Sequence, residues 1–139
     1  MTLLEQDSRA SITVRICSTG GDVYEALAII GRLRRSKCHI ITEAYGAVMS
    51  AATLILACGD KRRISKFATF MHHSSSYEIE GQHKDVVEYV KQMEKDEKLW
   101  AKWMEEFTNK SAHFWYSKAK DYYLTSEECL AHGVADELI

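Results

Sequence analysis

Apolar and polar residues alternate over Ile12-Thr13-Val14-Arg15-Ile16-Cys17, and the run ends in Ser18-Thr19-Gly20-Gly21-Asp22. Alternation sends one face toward a core and the other toward water, so the pattern predicts a strand running into a glycine turn. From Val23 the apolar residues Val23, Ala26, Leu27, Ile30 and Leu33 recur at helical spacing, with Glu25, Arg32 and Arg35 off that stripe. This predicts an amphipathic helix that Asp22 can cap. His39-Ile40-Ile41-Thr42-Glu43-Ala44-Tyr45 reads as a second strand. Strand, helix and strand in that order, with so short a linker, imply a right-handed crossover and parallel pairing.

The segment from Gly46 to Gly59 is apolar on every side in its second half, which predicts a buried helix that begins near Ser50 and closes on glycine. Asp60-Lys61-Arg62-Arg63 reads as a basic turn, Ala68 to His72 as a short strand, and His73 to Gly81 as a segment with a strand's reach and a loop's composition. The longest element is predicted from Gln82 to Phe107, where Val86, Val90, Met93, Trp100, Met104 and Phe107 form an apolar seam that Glu97 interrupts. A helix of that length is too long to lie wholly on a small sheet and is expected to project toward a partner. Near the C-terminus come a helix at about Ser111 to Lys118, then Asp121-Tyr122-Tyr123-Leu124, then a Thr125–Glu128 capping box opening a helix that stops at Gly133. No internal repeat or low-complexity tract interrupts this order.

The 139 residues suffice for one α/β domain. At 46% hydrophobic and 27% charged, the composition is that of an ordinary globular protein and excludes a disordered or membrane-embedded chain. The net charge of −2 offers no broad attraction for nucleic acid or an anionic membrane. Cys17, Cys38, Cys58 and Cys129 are far apart, without a Cys-x-x-Cys pair, and read as buried thiols in a reducing compartment rather than as disulfides or a zinc site. No basic segment followed by an apolar one opens the chain, and the longest apolar run is far too short to span a bilayer, so a cytoplasmic protein is expected. Proline is absent, where ordinary usage of about 5% would give roughly seven, and loops are deprived of their usual stiffener.

Four positions could carry chemistry. A serine directly after a strand and at the start of a buried helix, such as Ser50, has its hydroxyl presented at the sheet edge above the helix's positive end, which suits a nucleophile. Taken alone, a serine at such a place is more often a helix cap or a small packing residue. Gly20-Gly21 supplies unobstructed backbone N–H groups fit for an oxyanion hole, or simply a turn. His72 and His73 end a strand and must face opposite sides, so at most one serves any given site; the geometry suits a general base and argues against a metal pair. Asp121 is a surface turn residue or the group that orients a histidine.

The combination is more specific than its parts. Ser18-x-Gly20-Gly21-x-Val23 after a strand, Gly46-x-x-x-Ser50 before a buried helix, Met71-His72-His73 closing a strand, Gly81-Gln82 opening a long helix, and Asp121-x-x-Leu124-Thr125 before Gly133-x-Ala135-Asp136 together resemble the proteolytic subunit of the Clp protease, from about residue 3 to the C-terminus. The resemblance implies the ClpP/crotonase-like α/β fold of stacked ββα units, with a projecting handle helix at about 82–107. It implies a serine endopeptidase in which Ser50 attacks the peptide carbonyl, His73 carries the proton, Asp121 holds the imidazole and the N–H groups of Gly21 and Ala51 receive the oxyanion. His72 matches an apolar position in the family, although a short turn at 60–63 brings His73 a residue or two early and keeps the choice between the two histidines open. An extended substrate would lie between Gly20, Asp22 and Val23 on one side and Ser74, Ser75 and Ser76 on the other.

The resemblance further implies heptameric rings stacked into a closed chamber, unfolded polypeptides as substrates, and an AAA+ unfoldase of the ClpX or ClpA/ClpC type as partner. ATP would be used by that partner, leaving this chain without cofactor or metal; nucleic acid and membrane are not expected partners. The chain begins in what resembles the family's first core helix, so a single peptidase domain lacking the upstream strand and axial loops is expected, and ATPase docking is in doubt. That shortness keeps a second expectation alive: a non-catalytic ring or regulatory subunit, such as a phage-type variant that joins or modulates a host Clp complex. Family members commonly carry prolines where this chain has Thr19 and within Ser74-Ser75-Ser76, which predicts looser walls around the cleft.

Overall fold

The computed structural model describes residues 10–118 and 120–139. The core helix implied for the residues before Ile12 lies outside the described residues. The elements run β1 (Ser11–Ser18), α1 (Val23–Arg35), β2 (His39–Met49), α2 (Ala51–Ala57), β3 (Lys61–Ile64), β4 (Thr69–His72), α3 (His83–Phe107), α4 (Ala112–Tyr116), β5 (Tyr122–Leu124), α5 (Ser126–Ala131) and β6 (Glu137–Leu138).

β2 organises the sheet. Parallel β1 runs beside it from Ser11 opposite His39 to Ser18 opposite Val48. On the other side its first half pairs with β3 and its second half with β4, both parallel. β5 adds antiparallel to β4, and β6 parallel to β3. The α1 stripe buries Ala26, Ile30 and Leu33, and Asp22 caps the helix by accepting from the Tyr24 and Glu25 N–H groups. α2 is apolar all round because it is inside: six of its seven residues are buried, and buried Thr42 Oγ1 donates to the Leu56 carbonyl at 2.7 Å. The Thr125–Glu128 capping box forms on α5.

The sequence reading of 60–63 as a basic turn is corrected, because Lys61–Ile64 is a strand. Its arginines are tolerated in a sheet because each has a carboxylate to meet: Arg62 bonds Asp136, and Arg63 bonds Glu43 and Glu137. β2 also runs four residues past the predicted end at Tyr45, to Met49. It does so through Gly46, whose φ of 59° allows the bend.

α3 begins at the predicted place, with Gln82 at its N-cap, and only Ala101 and Met104 in it are buried. Its first four turns therefore stand outside the core. Cys38, Cys58 and Cys129 are buried, and Cys17 is exposed; burial pushes the Cys58 thiol up to about 11 and that of Cys129 to about 12. No helix among the described residues is long and apolar enough to cross a membrane.

Candidate active site

Ser50 sits between the end of β2 and the start of α2 with φ 52° and ψ −126°, the one non-glycine residue with positive φ among those described. Such a conformation costs on the order of 1–3 kcal/mol and persists only where neighbours enforce it. Three do: β2 fixes Met49, the Ser50 N–H donates to the Met71 carbonyl on β4 at 2.8 Å, and buried Thr53 Oγ1 donates to the Ser50 carbonyl at 2.7 Å. The Ser50 side chain makes no capping bond to α2. Its partner is His73, whose Nε2 lies 2.8 Å from Ser50 Oγ.

His73 follows directly on β4, and the alternation of the strand separates it from His72. His72 is buried against Trp115, with Nε2 3.3 Å from the Trp115 carbonyl and the rings at 5.2 Å. Burial is the main reason its pKa falls to about 4. His73 Nδ1 points toward Asp121, but the separation is 4.0 Å and the carboxylate side chain is 58% exposed. That is too long for a hydrogen bond.

Gly20 and Gly21 adopt φ of 100° and 151°, which glycine reaches without strain. At Gly20 a Cβ would lie 2.6 Å from Ser50 Cβ and 3.1 Å from the Ala51 nitrogen, so the turn is pressed directly against the serine. The turn is closed by the Gly20 N–H donating to Ser18 Oγ at 3.1 Å. Among the described residues no protein acceptor takes the Gly21 or Ala51 N–H. A cleft of about 270 Å³ opens here, lined by Gly21, Asp22 and Val23 on one wall, Ser74, Ser75 and Ser76 on the other, and Ser50 and His73 between them.

A nucleophile-type serine on an enforced turn, a histidine at bonding distance, free N–H groups beside it and an extended cleft form the constellation of an acyl-transfer site. A sequence model of the family described as Clp protease matches residues 1–139. The chain belongs to the Clp protease family. Among its relatives in the Clp protease family, the ATP-dependent Clp protease proteolytic subunit 2 of Corynebacterium jeikeium is 26% identical over 95% of this chain and 65% of its own length. The proteolytic subunit of Deinococcus radiodurans is 27% identical over 100% of this chain and 70% of its own length, and that of Bacteroides fragilis is 25% identical over 96% and 66%. The chain thus spans about two thirds of these relatives.

The structure brings together Ser50, His73, Gly20, Gly21, Ala51 and the two cleft walls, and leaves Asp121 at the margin. Sequence reading missed the third side of the cleft, where Tyr24 on α1 meets Asp96, and where Tyr89, Met93, Asp96, Glu97 and Trp100 of α3 line the cavity. Glu97 did carry a signal, as the break in the α3 apolar seam. No group of three or more His, Cys, Asp or Glu side chains among the described residues is arranged to hold a metal ion.

Proposed function

We propose that this chain is a serine endopeptidase subunit of the Clp type that cleaves unfolded polypeptides. The observation that carries the reading is the 2.8 Å contact between Ser50 Oγ and His73 Nε2 beside the double-glycine turn. With the Ser50 hydroxyl donating to Nε2, the imidazole proton sits on Nδ1 and faces Asp121. The serine attacks the peptide carbonyl as Nε2 takes its proton, the oxyanion is received by the N–H groups of Gly21 and Ala51, and His73 returns the proton to the leaving amine. Asp121 holds the Nδ1–H once its side chain closes about 1 Å, a movement its exposed position permits. The substrate pairs as a strand between 20–23 and 74–76, so main-chain bonds rather than side chains supply most of the recognition.

Self-association into stacked heptameric rings and delivery of substrate by an AAA+ unfoldase in the cytoplasm belong to the same reading. The exposed side of α3, with Val87 and Leu99 at 37% and 43% exposure, is in keeping with a surface that packs against another copy. The 4.0 Å gap at Asp121 favours a second reading, a ring member without catalysis of its own.

Hydrolysis of fluorogenic peptides by the wild type and by Ser50→Ala, His73→Ala and Asp121→Ala decides between them. The peptidase reading expects losses of about 10³-fold or more for the first two, with a smaller loss for Asp121. A wild-type chain that assembles yet cleaves nothing favours the second.

A further inference from the structure

We propose that Asp96 and Glu97, adjacent on α3, are positioning residues that tie the two walls of the cleft together and so set where His73 stands. The inference rests on the peptidase reading of Ser50 and His73. Residues 96 and 97 point about 100° apart around the helix, so neighbouring side chains can reach opposite sides of a cleft the helix crosses. They do so here. Tyr24, one residue beyond the oxyanion-side wall, donates its hydroxyl to Asp96 Oδ2 at 2.9 Å. Ser75, two residues beyond His73, donates its backbone N–H to Glu97 Oε1 at 2.8 Å.

Each tie has support behind it. Gln92 Nε2, one turn earlier on α3, donates to Asp96 Oδ1 at 2.8 Å and orients that carboxylate. The Tyr77 ring meets Tyr89 edge-on at 5.6 Å, a further contact between the His73-side wall and the helix. The segment from His73 to Glu80 belongs to no strand or helix, so a bond from α3 restrains it where a sheet ladder does not. The Ser75 N–H is available because the residue is not proline. A charged acceptor on a backbone N–H is a strong form of hydrogen bond, and here it offsets the loss of stiffness that the missing prolines would bring. One glutamate thus couples the position of α3 to the base of the reaction, and the preceding aspartate couples it to the oxyanion side.

The test uses the full chain with Glu97→Ala, Glu97→Gln and Tyr24→Phe. Backbone hydrogen exchange across 74–77 reads the tie without needing activity. It is expected to speed up by roughly tenfold in Glu97→Ala and to stay near wild type in Glu97→Gln, which keeps an acceptor oxygen. Peptide kinetics are expected to show kcat falling about tenfold in Glu97→Ala with KM moving less, and recovery in Glu97→Gln; Tyr24→Phe should raise KM instead, because it frees the wall that binds substrate. Unchanged exchange and kcat in a folded Glu97→Ala chain overturns the proposal. If the wild type proves inactive while exchange still depends on Glu97, the tie stands and the reading of the catalytic serine falls.

Discussion

Adding a single methyl group at Gly20 is the sharpest perturbation the geometry offers. In Gly20→Ala the new Cβ would stand 2.6 Å from Ser50 Cβ and 2.8 Å from the Met49 carbonyl oxygen, against ordinary contact from 3.4 Å outward. Something must therefore move by roughly 0.8 Å, the difference between 2.6 and 3.4 Å. Ser50 cannot yield freely, being held by its N–H to Met71 at 2.8 Å, and at a φ of 100° the turn gains strain of its own on losing glycine. Strain of this kind costs on the order of 1–3 kcal/mol in stability. A displacement near 1 Å in a catalytic group costs about 10²-fold in rate, so kcat/KM for a short peptide is expected to drop by that factor in a variant that still unfolds cooperatively. Gly21→Ala is the control, because a Cβ there meets nothing within 4 Å; its loss should come from backbone strain alone and stay within about tenfold. Urea unfolding and peptide kinetics on both variants provide the check. A Gly20→Ala chain that cleaves as fast as the wild type would refute the close approach of turn and serine.

His72 should make stability pH-dependent. The unfolded histidine protonates near 6.5 and the buried one only near 4, so stability is lost as pH falls through that window, by at most roughly 3 kcal/mol. Urea titrations at several pH values should show this slope in the wild type and lose it in His72→Gln. Arg62 ties β3 to the carboxylate of Asp136 and to the carbonyls of Phe107 and Gly133, so Arg62→Ala is expected to cost about 2 kcal/mol or more. A double-mutant cycle with Asp136→Asn should give a coupling well above that of an exposed pair. For α3, Val87→Glu with Leu99→Lys should lower the mass seen by sedimentation while leaving the far-ultraviolet spectrum intact; an unchanged mass would remove the helix from any assembly contact.

Local rules carried the elements with local causes. Asp22 and the Thr125–Glu128 box specify their helices through contacts within four residues and the α1 stripe through its helical spacing, and all three form as predicted. β3 was hidden because the partners that make Lys61, Arg62 and Arg63 acceptable in a strand, Glu43, Asp136 and Glu137, are supplied by remote parts of the chain. The two-residue strand β6 was hidden for the same reason, since only its pairing with β3 defines it. Within the site, Ser50 and the glycine turn were legible because a strand–turn–helix junction announces itself in sequence. Which histidine meets the serine depends on the phase of β4, which residue types alone left open. The bond from Ser75 to Glu97 crosses from a loop to a helix face and follows from no spacing rule; only the gap in the apolar seam marked the position.

Activation of Ser50 as a nucleophile by His73 is tested by incubation with a fluorophosphonate followed by intact-mass and peptide mapping. One adduct per chain is expected, carried on Ser50, absent in Ser50→Ala and slowed by about 10³-fold or more in His73→Ala. An assembled wild-type chain that takes no label, or takes it at another residue, would contradict it.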